Sequence, residues 1–121
     1  MSKAAFTIKV FAVYLVVLAV SLILVPNLLL AVFGLPATNE VWIRVLGVVV
    51  LILGGYYWLA AKNEAAWFFQ FSVYGRSFVL AVFIAFVIAK LVSPVLILFG
   101  AVDLLGALWT FAALRHVAQR A

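Results

Sequence analysis

The sequence predicts an all-α integral membrane protein, a four-helix bundle with a short interfacial helix between its first and second spans. Three observations predict it. Of the 121 residues, 71% are hydrophobic and 9% charged, with a mean hydropathy of +1.41, against roughly 45–50% apolar residues in an ordinary soluble domain. The apolar residues fall into four runs, each near the roughly 20 residues that cross a hydrocarbon core of about 30 Å. The eight Lys and Arg stand singly, most of them near the ends of those runs, so the net charge of +5 reports membrane topology rather than a nucleic-acid surface. Residues 1–121 are therefore expected to form a single transmembrane domain.

The first span is expected over 5–25, ended or kinked at Pro26, whose ring and missing N–H break the helical ladder. Lys3 and Lys9 ahead of an apolar run imitate a signal peptide. That run is longer than a signal core and meets Pro26 and Asn27 instead of a small-residue cleavage site, so a retained helix is expected. "NLLLAVFGLP" is too short to cross, and 27–35 is expected to lie at the interface, closed by Gly34 and Pro36. The polar "ATNE" follows, with Thr38 or Asn39 available to cap a second span over 41–61. Asn63 and Glu64 read as the start of the third, which runs over 66–90 without a proline. A competing reading starts this span near Val73 and lays "AAWFFQFS" on the surface. "LVSP" makes a turn, and the fourth span is expected over 94–114 with Pro94 in its first turn.

Four spans place both termini on one side. That side carries Lys3, Lys9, Lys62, Arg115 and Arg120, against Arg44 and Lys90 opposite, so the termini are expected in the cytoplasm. Trp42, Trp58, Trp67 and Trp109 fall near span ends, where amphipathic rings settle at the headgroup level.

The chain has no cysteine, which excludes thiol catalysis, disulfide exchange and cysteine-ligated iron–sulfur centres within it. Its single histidine, His116, follows the last apolar run and reads as a juxtamembrane residue, which leaves no paired imidazoles for haem and no His-rich metal site. No nucleophile stands with a base, and no phosphate loop or carboxylate pair is present, so no catalytic residue, metal or cofactor is assigned.

Three charges require explanation, since a charge near the bilayer centre costs at least about 2.5–3.5 kcal/mol. Asp103 lies midway along the fourth span, and Arg76 lies within the third on the continuous-span reading. Consecutive spans joined by a short turn are antiparallel, which brings the two to similar depths, where a forked, charge-assisted pair would neutralise both. Arg44, at the outer end of the second span, can compete for Asp103, bind a lipid phosphate or anionic ligand, or reach back to the interface. Gly100, Gly106, Ala107 and Thr110 stand at helical intervals from Asp103, and Arg44, Gly47, Leu51, Gly54, Gly55 and Trp58 make a similar stripe. Tyr14, Ser21 and Ser72 can add hydroxyls to the same interior. The polar centre is thus Arg76, Asp103, Arg44, Tyr14, Ser72 and Thr110, read either as a structural ion pair fixing helix register or as the floor of a ligand pocket.

The runs "PNLLLAVFGLP", "WIRVLG", "GGYYWLAAK", "GR" and "AVDLLGALWT" resemble the small bacterial four-helix membrane proteins of the DoxX-like type over residues 26–114. The resemblance implies a compact bundle with polar residues between helices in the bacterial inner membrane. Some named members are linked to sulfur and quinone metabolism, and distant relatives look like assembly chaperones. Without cysteine, no thiol-based role carries over to this chain.

The resulting expectation is a non-enzymatic accessory protein that binds a membrane-protein partner, another copy of itself, or a hydrophobic small molecule such as a quinone or lipid, in a lipid bilayer and without nucleic acid. Two alternatives stand beside it. One is a quinone-linked oxidoreductase subunit with its redox cofactors on a partner chain. The other is a small proton-coupled transporter that uses Asp103, although the first span lacks the acid that small multidrug transporters carry there.

Overall fold

The computed structural model describes the backbone of residues 2–120 and the side chains of residues 2–115. The chain is all-helical, in the order α1 (Lys3–Leu24), α2 (Pro26–Val32), α3 (Trp42–Lys62), α4 (Ala66–Ile88) and α5 (Leu96–Arg120). Among the described residues there is no strand. Four helices, α1, α3, α4 and α5 over Leu96–Arg115, are long and apolar enough to cross a membrane, which makes the chain a multi-pass membrane protein by the length and composition of its helices. Two compact units divide it, one of Lys9–Leu59 and the other of the residues up to Ile8 together with Ala60 onward.

Within the Lys9–Leu59 unit, α1 and α3 run antiparallel at close range. A Cβ on Gly47 would stand 2.7 Å from Ile23 Cγ1 and 3.1 Å from the Ala19 carbonyl oxygen, and one on Gly54 would stand 3.1 Å from Val16 Cγ2 and 3.4 Å from the Ala12 oxygen. Small residues at these positions let two backbones approach in a setting where lipid is as apolar as any side chain. Among the buried residues of α1 in this unit, Ala12, Leu15, Ala19 and Leu22 recur at alternating intervals of three and four, the spacing of a helix–helix seam. Gly55, expected in the packing stripe, instead has nothing within 4 Å of its Cβ position.

The corner between α1 and α3 departs from expectation in one respect. Pro26 does more than end α1: it opens α2 at the first helical position, where the missing N–H is not needed. A left-handed C-terminal cap closes α2, with Gly34 at φ 70°, its N–H donating to Ala31 (3.1 Å) and the Leu35 N–H to Leu30 (2.8 Å). Thr38 does not cap α3. Its hydroxyl accepts the Glu40 N–H at 3.1 Å, and its own N–H donates to Asn27 Oδ1 at 2.9 Å, so it orders the loop ahead of the helix.

In the other unit, Asn63 and Glu64 close α3 instead of starting α4. Glu64 takes φ 51°, and the bonds from Glu64 N–H to Ala61 (3.3 Å) and Ala65 N–H to Ala60 (3.0 Å) form the same kind of cap seen at Gly34. Lys90 repeats it after α4 at φ 62°, with its N–H on Val87 (3.0 Å) and that of Leu91 on Phe86 (2.9 Å). Between these caps α4 is one helix passing through Gly75, as the continuous-span reading requires. α5 starts at Leu96, later than expected, because Ser93, Pro94 and Val95 accept tighter bonds from the N–H groups three residues on. It runs helically to Arg120, beyond the expected end. At the α4–α5 contact a Cβ on Gly100 would meet Leu80 Cδ1 at 2.8 Å and its Cα at 3.0 Å, so this glycine sets the separation of the two helices.

Candidate functional site

The sequence places Phe69, Ser72 and Arg76 at intervals of three and four on α4, and these are the helix's buried residues. On α5 the corresponding face carries Gly100, Ala107 and Thr110, all buried, with Asp103 half-buried among them. The start of α1 contributes Ala4 and Thr7. Four polar side chains meet here almost without exposure: Arg76 at 3%, Ser72 at 3%, Thr7 at 2% and Thr110 at 0%.

Arg76 Nη2 donates to Ser72 Oγ at 3.1 Å and to Thr110 Oγ1 at 2.9 Å, and Nε donates to the Ser72 carbonyl at 3.2 Å. Ser72 Oγ passes its own proton to the Phe69 carbonyl at 2.7 Å. Thr7 Oγ1 donates to the Ala4 carbonyl at 2.7 Å and lies 2.7 Å from Thr110 Oγ1. A hydroxyl has one proton, and that of Thr7 is committed to Ala4, so Thr110 is the donor between the two threonines. The bonds therefore have a single direction, from the Arg76 guanidinium through Thr110 and Thr7 to the Ala4 carbonyl. A charge at the head of such a chain polarises each hydroxyl toward the next and spreads across three helices.

Asp103 acts on Arg76 through its charge. The hydrogen bonds described for the guanidinium run to the Ser72 and Thr110 hydroxyls and the Ser72 carbonyl. Of the six predicted polar residues, the structure gathers Arg76, Ser72 and Thr110 by direct contact and Asp103 by electrostatics. Tyr14 and Arg44 belong to the Lys9–Leu59 unit. There Phe11 packs against both Tyr14 and Tyr57, with ring centroids 5.5 and 5.2 Å apart. Arg44 is exposed and its Nη1 donates to the Ile23 carbonyl in the last turn of α1, a favoured place for a cation because those carbonyls carry the negative end of the helix dipole. Ser21, also expected in the interior, bonds the Val17 carbonyl at 2.9 Å on its own helix.

Two further contacts were not anticipated. Ser2 caps α1 through its Oγ, which accepts the Ala5 N–H at 3.0 Å. Glu64 then accepts from both Ser2 N–H (2.7 Å) and Ser2 Oγ (2.6 Å), doing from the α3–α4 turn what a glutamate within the first turn of α1 would do. The Ser2 hydroxyl and N–H hold the Glu64 carboxyl below the usual glutamate range. In the other unit Lys9 Nζ lies 4.5 Å from the centre of the Trp58 ring, a cation–π contact.

Among the described residues, no three of His, Cys, Asp and Glu stand close enough together to hold a metal ion. The side chain of His116 lies outside the described residues. No protein-family model, curated protein or solved structure matches the chain.

Proposed function

We propose that this chain is a non-enzymatic integral membrane accessory protein that engages another membrane protein or a hydrophobic small molecule through its helices. The observation that carries the reading is the directed chain from Arg76 to the Ala4 carbonyl. Its hydrogen bonds run from one of its own members to the next and clamp segments of α1, α4 and α5, which is the work of a structural tie. The outer surfaces of α3 and α4, by contrast, present large apolar side chains such as Leu46, Val49, Phe71 and Phe78, which suit contact with lipid or with another membrane helix.

The same reading places the protein in the bacterial inner membrane with both termini in the cytoplasm, supported by the excess of Lys and Arg at the terminal side. Its resemblance to DoxX-like proteins agrees with an accessory role. The test is gentle extraction from the native membrane, followed by native mass spectrometry of everything that stays bound. A stoichiometric membrane-protein partner or a specific hydrophobic molecule is expected. A chain that emerges bare after extraction in several mild detergents would overturn the proposal.

A further inference from the structure

The groove between α4 and α5 is a second candidate site, which rests on the small-molecule side of the accessory reading and names its chemical class, while engagement of a partner protein would stand without it. It encloses about 320 Å³ and is lined by Gln70, Val73, Tyr74, Phe111, Leu114 and Arg115. Gln70 lies in the first turns of α4, and Arg115 is the last residue of the membrane-crossing stretch of α5. At about 1.5 Å per residue, Val73 and Phe111 lie roughly 4–6 Å deeper than this polar pair. The groove is thus polar at headgroup level and apolar and aromatic below, the order of groups along a phospholipid.

Charge narrows the occupant. Among the described residues, Arg115 is the single charged one lining the groove, it is exposed, and no carboxylate lines the site. A guanidinium presents a fork matched to phosphate oxygens, and the Gln70 amide at the same level adds a neutral donor. Phosphatidylcholine would bring its own cation beside Arg115, whereas a lipid with a net negative headgroup would not. We infer that the α4–α5 groove binds one anionic phospholipid, its phosphate on Arg115 and Gln70 and its acyl chain along Val73, Phe111 and Leu114.

The test is native mass spectrometry of the full chain in mild detergent, titrated in parallel with phosphatidylglycerol and phosphatidylcholine of identical acyl chains. The first phosphatidylglycerol molecule is expected to bind about fivefold more tightly, the preference that one basic residue supplies near a lipid surface. Arg115→Gln should abolish the preference, Val73→Trp should fill the groove and lower binding of both lipids, and Lys62→Gln, on the same end but outside the groove, should change neither. Arg115 is exposed, so its variant is expected to fold, which helix content and melting temperature would verify. If Val73→Trp fails to fold, Phe111→Ala takes its place, removing the aromatic wall that the acyl chain lies against. The inference is overturned if the wild-type chain shows no preference, if the preference survives Arg115→Gln, or if Lys62→Gln reduces it as much.

Discussion

At the residue scale, Thr110 has one proton to give and accepts from Arg76, so it joins the charge to Thr7 and cannot be replaced by an apolar isostere without loss. Thr110→Val keeps the shape and removes both bonds, which should destabilise the protein by about 1–3 kcal/mol, the cost of leaving a buried donor unmet. Because Thr7 acts in the same chain, Thr7→Val together with Thr110→Val should cost less than the two singles added, with a coupling of about 0.5–3 kcal/mol. Unfolding titrations in mixed micelles would measure both, and strict additivity would break the proposed sequence of bonds. Glu64 gives a pH dependence. Its folded-state carboxyl is held below the ordinary value by Ser2, so its contribution is present above the unfolded value of about 4.3 and is lost as pH falls through the lower folded value. The wild type should therefore lose stability against Glu64→Gln as pH falls from about 5 to 3, read from unfolding midpoints. A parallel response of the two proteins would contradict it. Arg76, Ser72 and Thr110 were legible in the sequence because charge and hydroxyls are conspicuous in apolar runs. Thr7 was not, since a threonine so near the chain start gives no sign of its depth, and the tie from Glu64 to Ser2 spans 62 positions.

At the element scale, hydropathy located the helices to within a few residues at most ends but could not say which face of each meets protein. Lipid and interior are equally apolar, so the usual contrast between inside and outside is missing. What distinguishes the buried face is size. Ala12 and Ala19 stand seven residues apart in α1, opposite Gly54 and Gly47 at the same spacing in α3; the glycine stripe was legible in the sequence, and its alanine counterpart in α1 was not read there. The departures at the ends of α3 and α4 have a common cause. Glu64 and Lys90 adopt the left-handed conformation usually given to glycine, so neither cap carries the residue that marks it. Glycines consequently differ in what they do, and a pair of substitutions separates them. Gly100→Ala would drive a Cβ to 2.8 Å from Leu80 Cδ1 and 3.0 Å from Leu80 Cα, and since backbone cannot yield as a side-chain tip can, a loss of about 1–3 kcal/mol is expected. Gly75→Ala meets nothing within 4 Å and should gain up to about 1 kcal/mol from helix propensity alone. Equal effects at the two positions would show that Gly100 does not set the α4–α5 separation.

At the scale of the whole molecule, composition alone carried the fold class, because four apolar runs of membrane-crossing length in 121 residues leave few other arrangements. Orientation depends on a smaller quantity, the placement of seven of the eight basic residues, with Arg76 buried and taking no part. On the proposed topology, Lys3, Lys9, Lys62, Arg115 and Arg120 fall on the terminal side, against Arg44 and Lys90. Arg44 moreover bonds the Ile23 carbonyl at the end of α1, which makes it a local helix cap as well as a topological signal. The cysteine-free chain allows a direct measurement, since any introduced cysteine is unique. Asn39→Cys, in the loop before α3, should react with a membrane-impermeant maleimide in intact cells, whereas Asn63→Cys, in the α3–α4 turn, should react only after permeabilisation. Replacing Lys3, Lys9 and Lys62 together by Gln reduces the basic residues on the terminal side to two, equal to the two opposite, and should yield a mixed population in which both sites label in intact cells. If Asn63→Cys labels in intact cells in the otherwise unaltered chain, the termini face outward and charge does not set the orientation.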